Sequence, residues 1–98
     1  MKIEFKSNRL IVASTNLSEA SRLFGIPIGR KYIQRLAILR AMDKFSQLYG
    51  LQALRLHTLK GDRAGQYSIA LTGNYRLIIE KLNEDKVLVV DVEDYHGN

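Results

Sequence analysis

Cysteine is absent from the 98-residue chain. No disulfide framework, thiolate zinc site or cysteine nucleophile is therefore open to it, and the absence agrees with a reducing compartment. Long apolar runs are missing near the N-terminus, where the longest is Leu10-Ile11-Val12-Ala13. A signal peptide needs about 7–15 apolar residues in a row and a membrane helix about 18. A soluble, cytoplasmic protein with no membrane partner is expected. Histidine is scarce: His57 and His96 are the only two, and no HxxxH-like spacing accompanies them. Metal ligation therefore ranks below acid–base use of these imidazoles. There is no internal repeat and no low-complexity stretch. What is present is 46% hydrophobic residues, enough for one core at a common domain size. Residues 1–98 read as a single domain.

Acidic residues are few in the first half. Residues 1–44 hold nine Lys/Arg against Glu4, Glu19 and Asp43, a net of +6, and residues 45–98 hold six against seven, a net of −1. A basic half attracts phosphates; a solvated surface that keeps the chain soluble is the competing reading.

Periodicity divides the chain in two. Lys2-Ile3-Glu4-Phe5 alternates and predicts a short strand. Residues 6–14 suit a strand or helical turns equally. Asn16 followed three residues on by Glu19 resembles a capping box, and Gly25 supplies a stop, which predicts a helix at about 16–24. Gly25-Ile26-Pro27-Ile28-Gly29 reads as a breaker. A long helix is expected from Arg30 to about Tyr49. Ile38, Met42, Phe45 and Tyr49 fall on one stripe, and Tyr32, Leu36 and Leu39 on a second. Arg30, Lys31, Arg35 and Arg40 are left for its wetter sides. From Leu54 the period becomes two. Leu54 to His57 reads as a strand edge, and Gln66 to Thr72 as a strand with Tyr67, Ile69 and Leu71 on one face. Thr72-Gly73-Asn74 reads as a hairpin turn, with a partner strand from Tyr75. Asn83-Glu84-Asp85 turns the chain into a last strand from Lys86 to Glu93. The expected class is α+β, in the order β-α-α-β-β-β-β, with two N-terminal helices on one face of a small, mainly antiparallel sheet.

Three places carry chemistry-bearing side chains. The loop His57-Thr58-Leu59-Lys60-Gly61-Asp62-Arg63-Ala64-Gly65 holds an imidazole, two cations and a carboxylate; an ordinary solvated loop is the competing reading. Arg76 interrupts an apolar strand and shares the face of Ile78. The chain ends on Glu93-Asp94-Tyr95-His96, where an apolar strand runs out. If the strand ends lie near each other, His57, Lys60, Arg76, Asp94, Tyr95 and His96 line one pocket. That set suits cleavage of RNA by its own 2′-hydroxyl. A base takes the proton, a cation steadies the phosphate, and an acid protonates the leaving 5′-oxygen. Histidine exchanges protons near neutral pH, lysine and arginine neutralise phosphate, and tyrosine can stack on a base.

These segments resemble a known family. LHTLKGDRAGQYSIALTGNYRLIIE (56–80), followed by VEDYH (92–96), resembles the HigB-type toxins of the RelE/ParE superfamily, with GRKYIQRLAILRAM (29–42) similar to the family's second helix. Thr58 stands where proline is frequent, and Tyr67 and Tyr75 stand where tryptophan is common. The resemblance implies a toxin of a type II toxin–antitoxin pair that cuts messenger RNA in the ribosomal A site without a metal or other cofactor. It implies a HigA-type helix-turn-helix antitoxin, and the ribosomal small subunit and mRNA as partners; the toxin alone is expected to be a monomer. Carried over by motif position, the active-site groups are His57, Lys60, Arg76, Asp94, Tyr95 and His96. His96 or Asp94 would handle the hydroxyl proton, Lys60 and Arg76 would hold the phosphate, His57 would serve as acid or positioning group, and Tyr95 would stack. Arg30, Lys31, Arg35 and Arg63 are expected to face RNA or the ribosome. Two other readings remain: a ParE-like inhibitor of DNA gyrase that cuts nothing, and a degenerate module that only binds its antitoxin.

Overall fold

The structure is a computed structural model that describes residues 1–94. The first alternating segment forms β1 (Lys2–Phe5), with Ile3 and Phe5 turned to the core. The ambiguous stretch after it is a helix, α1 (Asn8–Thr15), which buries Leu10 and Ala13. The strand propensity of RLIVA loses here because an i, i+3 pair fits the helix layer. There are thus three N-terminal helices where two are expected.

The second helix, α2 (Leu17–Phe24), starts where its cap is written: the Asn16 side chain accepts from the Glu19 backbone N–H at 2.8 Å. It stops at Gly25, whose φ of 85° is open to glycine at little cost and whose N–H bonds Ser21 O. The expected breaker at 25–29 shrinks to that one residue. Helix α3 (Ile26–Ala41) begins immediately, with Pro27 in its first turn. Proline is tolerated there because first-turn N–H groups have no intrahelical acceptor.

The other end of α3 departs from expectation too. The chain leaves the helix at Met42, which is extended, and continues as two short 3₁₀ turns, Phe45–Gly50 and Gln52–Leu54. The Met1 amino group donates to the carbonyls of Leu39, Arg40 and Met42 at this helix end. The stripe Ile38, Met42, Phe45, Tyr49 is therefore not a helical face. Phe45 still reaches the core, because its N–H bonds Glu84 O at 2.7 Å and its ring meets Tyr67 at 4.8 Å. Tyr49 is exposed. The stripe Tyr32, Leu36, Leu39 is the buried one.

Among the described residues five strands make one sheet: β1, β2 (His57–Thr58), β3 (Gln66–Ala70), β4 (Tyr75–Asn83) and β5 (Lys86–Asp94), in spatial order β1-β5-β4-β3-β2. β1 runs parallel to β5, and the other neighbours are antiparallel. The strand expected to begin at Leu54 starts later. Leu54 closes a 3₁₀ turn into the core, and Arg55 takes a left-handed φ of 48° that redirects the chain. Helices cover the face carrying Ile69, Leu77, Ile79, Val87 and Val89. Alternation sends Ser68, Arg76, Ile78 and Glu93 to the opposite face, with a bulge in β5 between the partners of Ile78 and Ile79. Among the described residues no helix is long and apolar enough to cross a membrane.

Two buried polar groups tie the layers. The Tyr32 hydroxyl donates to Leu10 O at 2.7 Å, and burial pushes its phenol well above the ordinary value. Tyr32→Phe is expected to cost about 1 kcal/mol, read as a lower denaturation midpoint at unchanged slope. Arg35, placed on a wet side by the sequence reading, is only 7% exposed. Its Nε donates to Ala70 O at 2.9 Å and its Nη2 to Ala53 O at 3.4 Å, which clips α3 to the end of β3 and to the second 3₁₀ turn. Burial lowers its pKa. The expectation that Arg35 faces RNA is corrected on this ground: its hydrogen bonds point inward.

Candidate active site

The sheet face opposite the helices gathers part of the expected set. His57 opens the edge strand β2 and is exposed. Its Nδ1 lies 3.1 Å from Arg55 O, and its Nε2 lies 3.1 Å from Ser68 Oγ. A carbonyl only accepts, so Nδ1 carries the proton in the neutral ring and Nε2 receives the Ser68 O–H. Nε2 is then the nitrogen available for proton exchange. The left-handed turn at Arg55 is what aims its carbonyl at the ring.

Arg76 is half-buried in β4, paired in register with Ala70 on one side and Glu93 on the other. His57 pairs with Ser68, one step along the same face. Two strand spacings across and two residues along place the Cα atoms of His57 and Arg76 about 12 Å apart. Side chains of that reach can meet one nucleotide between them. Lys60 is exposed just before a short 3₁₀ turn, Gly61–Arg63, in the loop that leaves β2. Asp94 ends β5 opposite Tyr75 and alternates away from Glu93. Tyr95 and His96, together with Gly97 and Asn98, lie outside the described residues.

Arg63 is placed differently from the expectation that it faces RNA. It forms a two-pronged bond to Glu93, Nη1 to Oε1 at 2.9 Å and Nη2 to Oε2 at 2.8 Å, and its Nε donates to Gln66 Oε1 at 3.1 Å. The bond to Glu93 raises its pKa. This fork fastens the Lys60 loop to the end of β5. It borders an open cleft of about 630 Å³, where Lys6, just before α1, and Arg9 in its first turn face Asp62, Asp91 and Glu93. Arg9 and Asp91 are 3.4 Å apart there. Arg30 and Lys31 are elsewhere: they belong to α3, in the layer on the other side of the sheet.

Ser68 and Glu93 are the two groups that residue reading passed over. Ser68 is 1% exposed and touches the imidazole; a lone hydroxyl in QYSIA was its only signal. Glu93 was visible in the terminal run, but its partner lies 30 residues away. Among the described residues no three His, Cys, Asp or Glu side chains gather as metal ligands do.

Comparison with known proteins bears on fold first. No family model matches the chain. Three sets of coordinates share its architecture: a YoeB/ParE toxin from Agrobacterium tumefaciens (TM-score 0.59, 16% identity, 98% of this chain and 100% of that one), the YoeB–YefM complex from Staphylococcus aureus (0.62, 17%, 98% and 97%) and YafQ from E. coli strain BL21(DE3) (0.54, 17%, 95% and 91%). The chain therefore shares the fold of these three structures. A more specific likeness lies in the sequence: over 60 residues the chain is 38% identical to the endoribonuclease HigB of Proteus vulgaris, covering 59% of this chain and 64% of that relative. The chain thus spans just under two thirds of the relative's length. That likeness bears out the resemblance to HigB-type toxins.

Proposed function

We propose that this chain is the toxin of a type II toxin–antitoxin pair and an endoribonuclease that cuts mRNA in the ribosomal A site. The observation that carries the reading is the shared, helix-free sheet face on which His57 and Arg76 sit beside the Lys60 loop, in a chain similar to an endoribonuclease. The 2′-oxygen attacks the adjacent phosphorus, the P–O5′ bond breaks, and a cyclic phosphate and a 5′-hydroxyl result. Arg76 and Lys60 hold the phosphate as charge builds on it. His57 acts as the acid in its imidazolium form, giving the proton on Nε2 to the leaving oxygen while Nδ1–H stays on Arg55 O. His96 takes the proton of the attacking hydroxyl, and Tyr95 stacks against a base; the expectation that Asp94 shares this role is set aside, because it alternates to the other side of β5 from Glu93, the partner of Arg76. No step calls for a metal ion. The partner is a HigA-type antitoxin; YoeB, which shares the fold, is seen with YefM in the solved complex.

The test is expression with and without the neighbouring gene, with RNA ends mapped. Arrest with cut transcripts, relieved by the neighbour, is the expected outcome. Arrest with intact transcripts would favour a gyrase-type poison. Lys60→Ala is expected to slow cleavage in a translation extract about tenfold or more while ribosomes remain bound.

A further inference from the structure

The Arg63 side chain reaches two strands from one loop. Its Nε donates to Gln66 Oε1 at the start of β3, and its Nη1 and Nη2 donate to the two oxygens of Glu93 near the end of β5. β4 lies between those strands, so the guanidinium straps across it. Gln66 pairs with Glu80 and Glu93 with Arg76; the line joining the two acceptors crosses β4 at Ile78. Ile78 faces away from the helices, yet it is 2% exposed, as a side chain under a strap is. The loop that carries Arg63 needs the fastening. Leu59 N–H bonds Gln66 O at its base, but Gly61 and Gly65 take positive φ of 70° and 94°, and glycine opens many other states to the backbone between them. Lys60 rides on this loop, three residues before Arg63, while Glu93 is the register neighbour of Arg76. The fork therefore sets the spacing between the two cations assigned to the phosphate.

We propose that Arg63 and Glu93 are a positioning pair for RNA cleavage, a role that rests on the endoribonuclease reading. Neither needs to touch the reacting atoms. Their two-pronged bond keeps Lys60 where charge builds on the phosphate, while β4 keeps Arg76 there. A misplacement of about 1 Å can cost 10²-fold in rate, and a cation on a loose loop is misplaced much of the time. The pair supplies geometry rather than charge. A planar guanidinium meets a carboxylate at two points, an ammonium as a single point charge. The side chains are 38% and 36% exposed, so the pair's share of overall stability is small. Its effect falls on the rate and not on the fold.

The test is a double-mutant cycle on the full chain, read as single-turnover cleavage of mRNA on purified ribosomes, with ribosome affinity measured separately. Arg63→Gln and Glu93→Gln should each slow cleavage about tenfold. The double variant should be no slower than the slower single one. Arg63→Lys should be nearly as slow as Arg63→Gln, although it keeps the charge. Ribosome affinity and the melting midpoint should stay near the parent's, while hydrogen exchange at amides 60–65 quickens in each variant. A loss seen with Arg63→Gln alone, restored by Arg63→Lys and accompanied by weaker, salt-dependent ribosome binding, would make Arg63 an RNA contact and overturn the pair. So would losses that multiply in the double variant, or variants that all cut as fast as the parent; each of these leaves the toxin reading standing. A parent protein that leaves mRNA whole on ribosomes overturns that reading, and the positioning role with it.

Discussion

Gly29→Ala is expected to destabilise the protein by about 2–3 kcal/mol. Gly29 sits in α3 where α2 crosses it. A methyl group there would lie 2.7 Å from Ser21 N, 2.8 Å from the Ala20 carbonyl carbon and 2.9 Å from its oxygen. All three are backbone atoms of α2, so no side chain can swing aside. The helices must part, and buried Ala20 and Tyr32 sit beside that crossing. Alanine gains about 1 kcal/mol over glycine in helix propensity, which offsets part of the cost but not all of it. For a domain of this size the melting midpoint should fall by roughly 10–20 °C. Gly50→Ala is the control: a methyl group there meets nothing within 4 Å and no positive φ is required. A Gly29→Ala protein that melts with the parent would mean that the α2–α3 crossing yields to a methyl group without cost.

The second large effect belongs to the site. His57→Ala should slow mRNA cleavage about 10²-fold or more while the melting midpoint moves little, because the ring is exposed on an edge strand. Initial rates in a translation extract check this. Ser68→Ala should cost less: it removes one hydrogen bond to Nε2 and leaves Nδ1 anchored on Arg55 O. Equal rates for parent and His57→Ala would remove the imidazole from the chemistry and move the acid role to another group.

Local chemistry was legible where it decides the structure alone. The Asn16 cap, the Gly25 stop and the turn at 72–74 were all readable before any fold was known, and so was the place of Arg76 on the face of Ile78. Errors came where distant parts decide. The periodic stripe from Ile38 to Tyr49 looked helical, but Phe45 is fixed by a backbone bond to Glu84, 39 residues away in the chain. Pro27 looked like an interruption because its missing N–H matters only inside a helix, and here it stands at the start. Arg35 and Arg63 looked like surface cations; each is held by acceptors that only tertiary folding brings near, Ala70 O for one and Glu93 for the other. The order of residues along the chain places His57, Lys60 and Arg76 within twenty positions, and strand pairing turns that nearness into a shared face. Ser68 shows the reverse case, a group with no signal of its own until the register sets it under the imidazole.

The chemical identity of the RNA ends is the most direct measurement. Transcripts cut in ribosome-containing extract should carry a 2′,3′-cyclic phosphate, or the 3′-phosphate it opens to, on the upstream fragment and a 5′-hydroxyl on the downstream one. Fragments ending in a 3′-hydroxyl and a 5′-phosphate would mean that water, not the 2′-oxygen, attacked the phosphorus, and would contradict the mechanism built on His57 and Arg76.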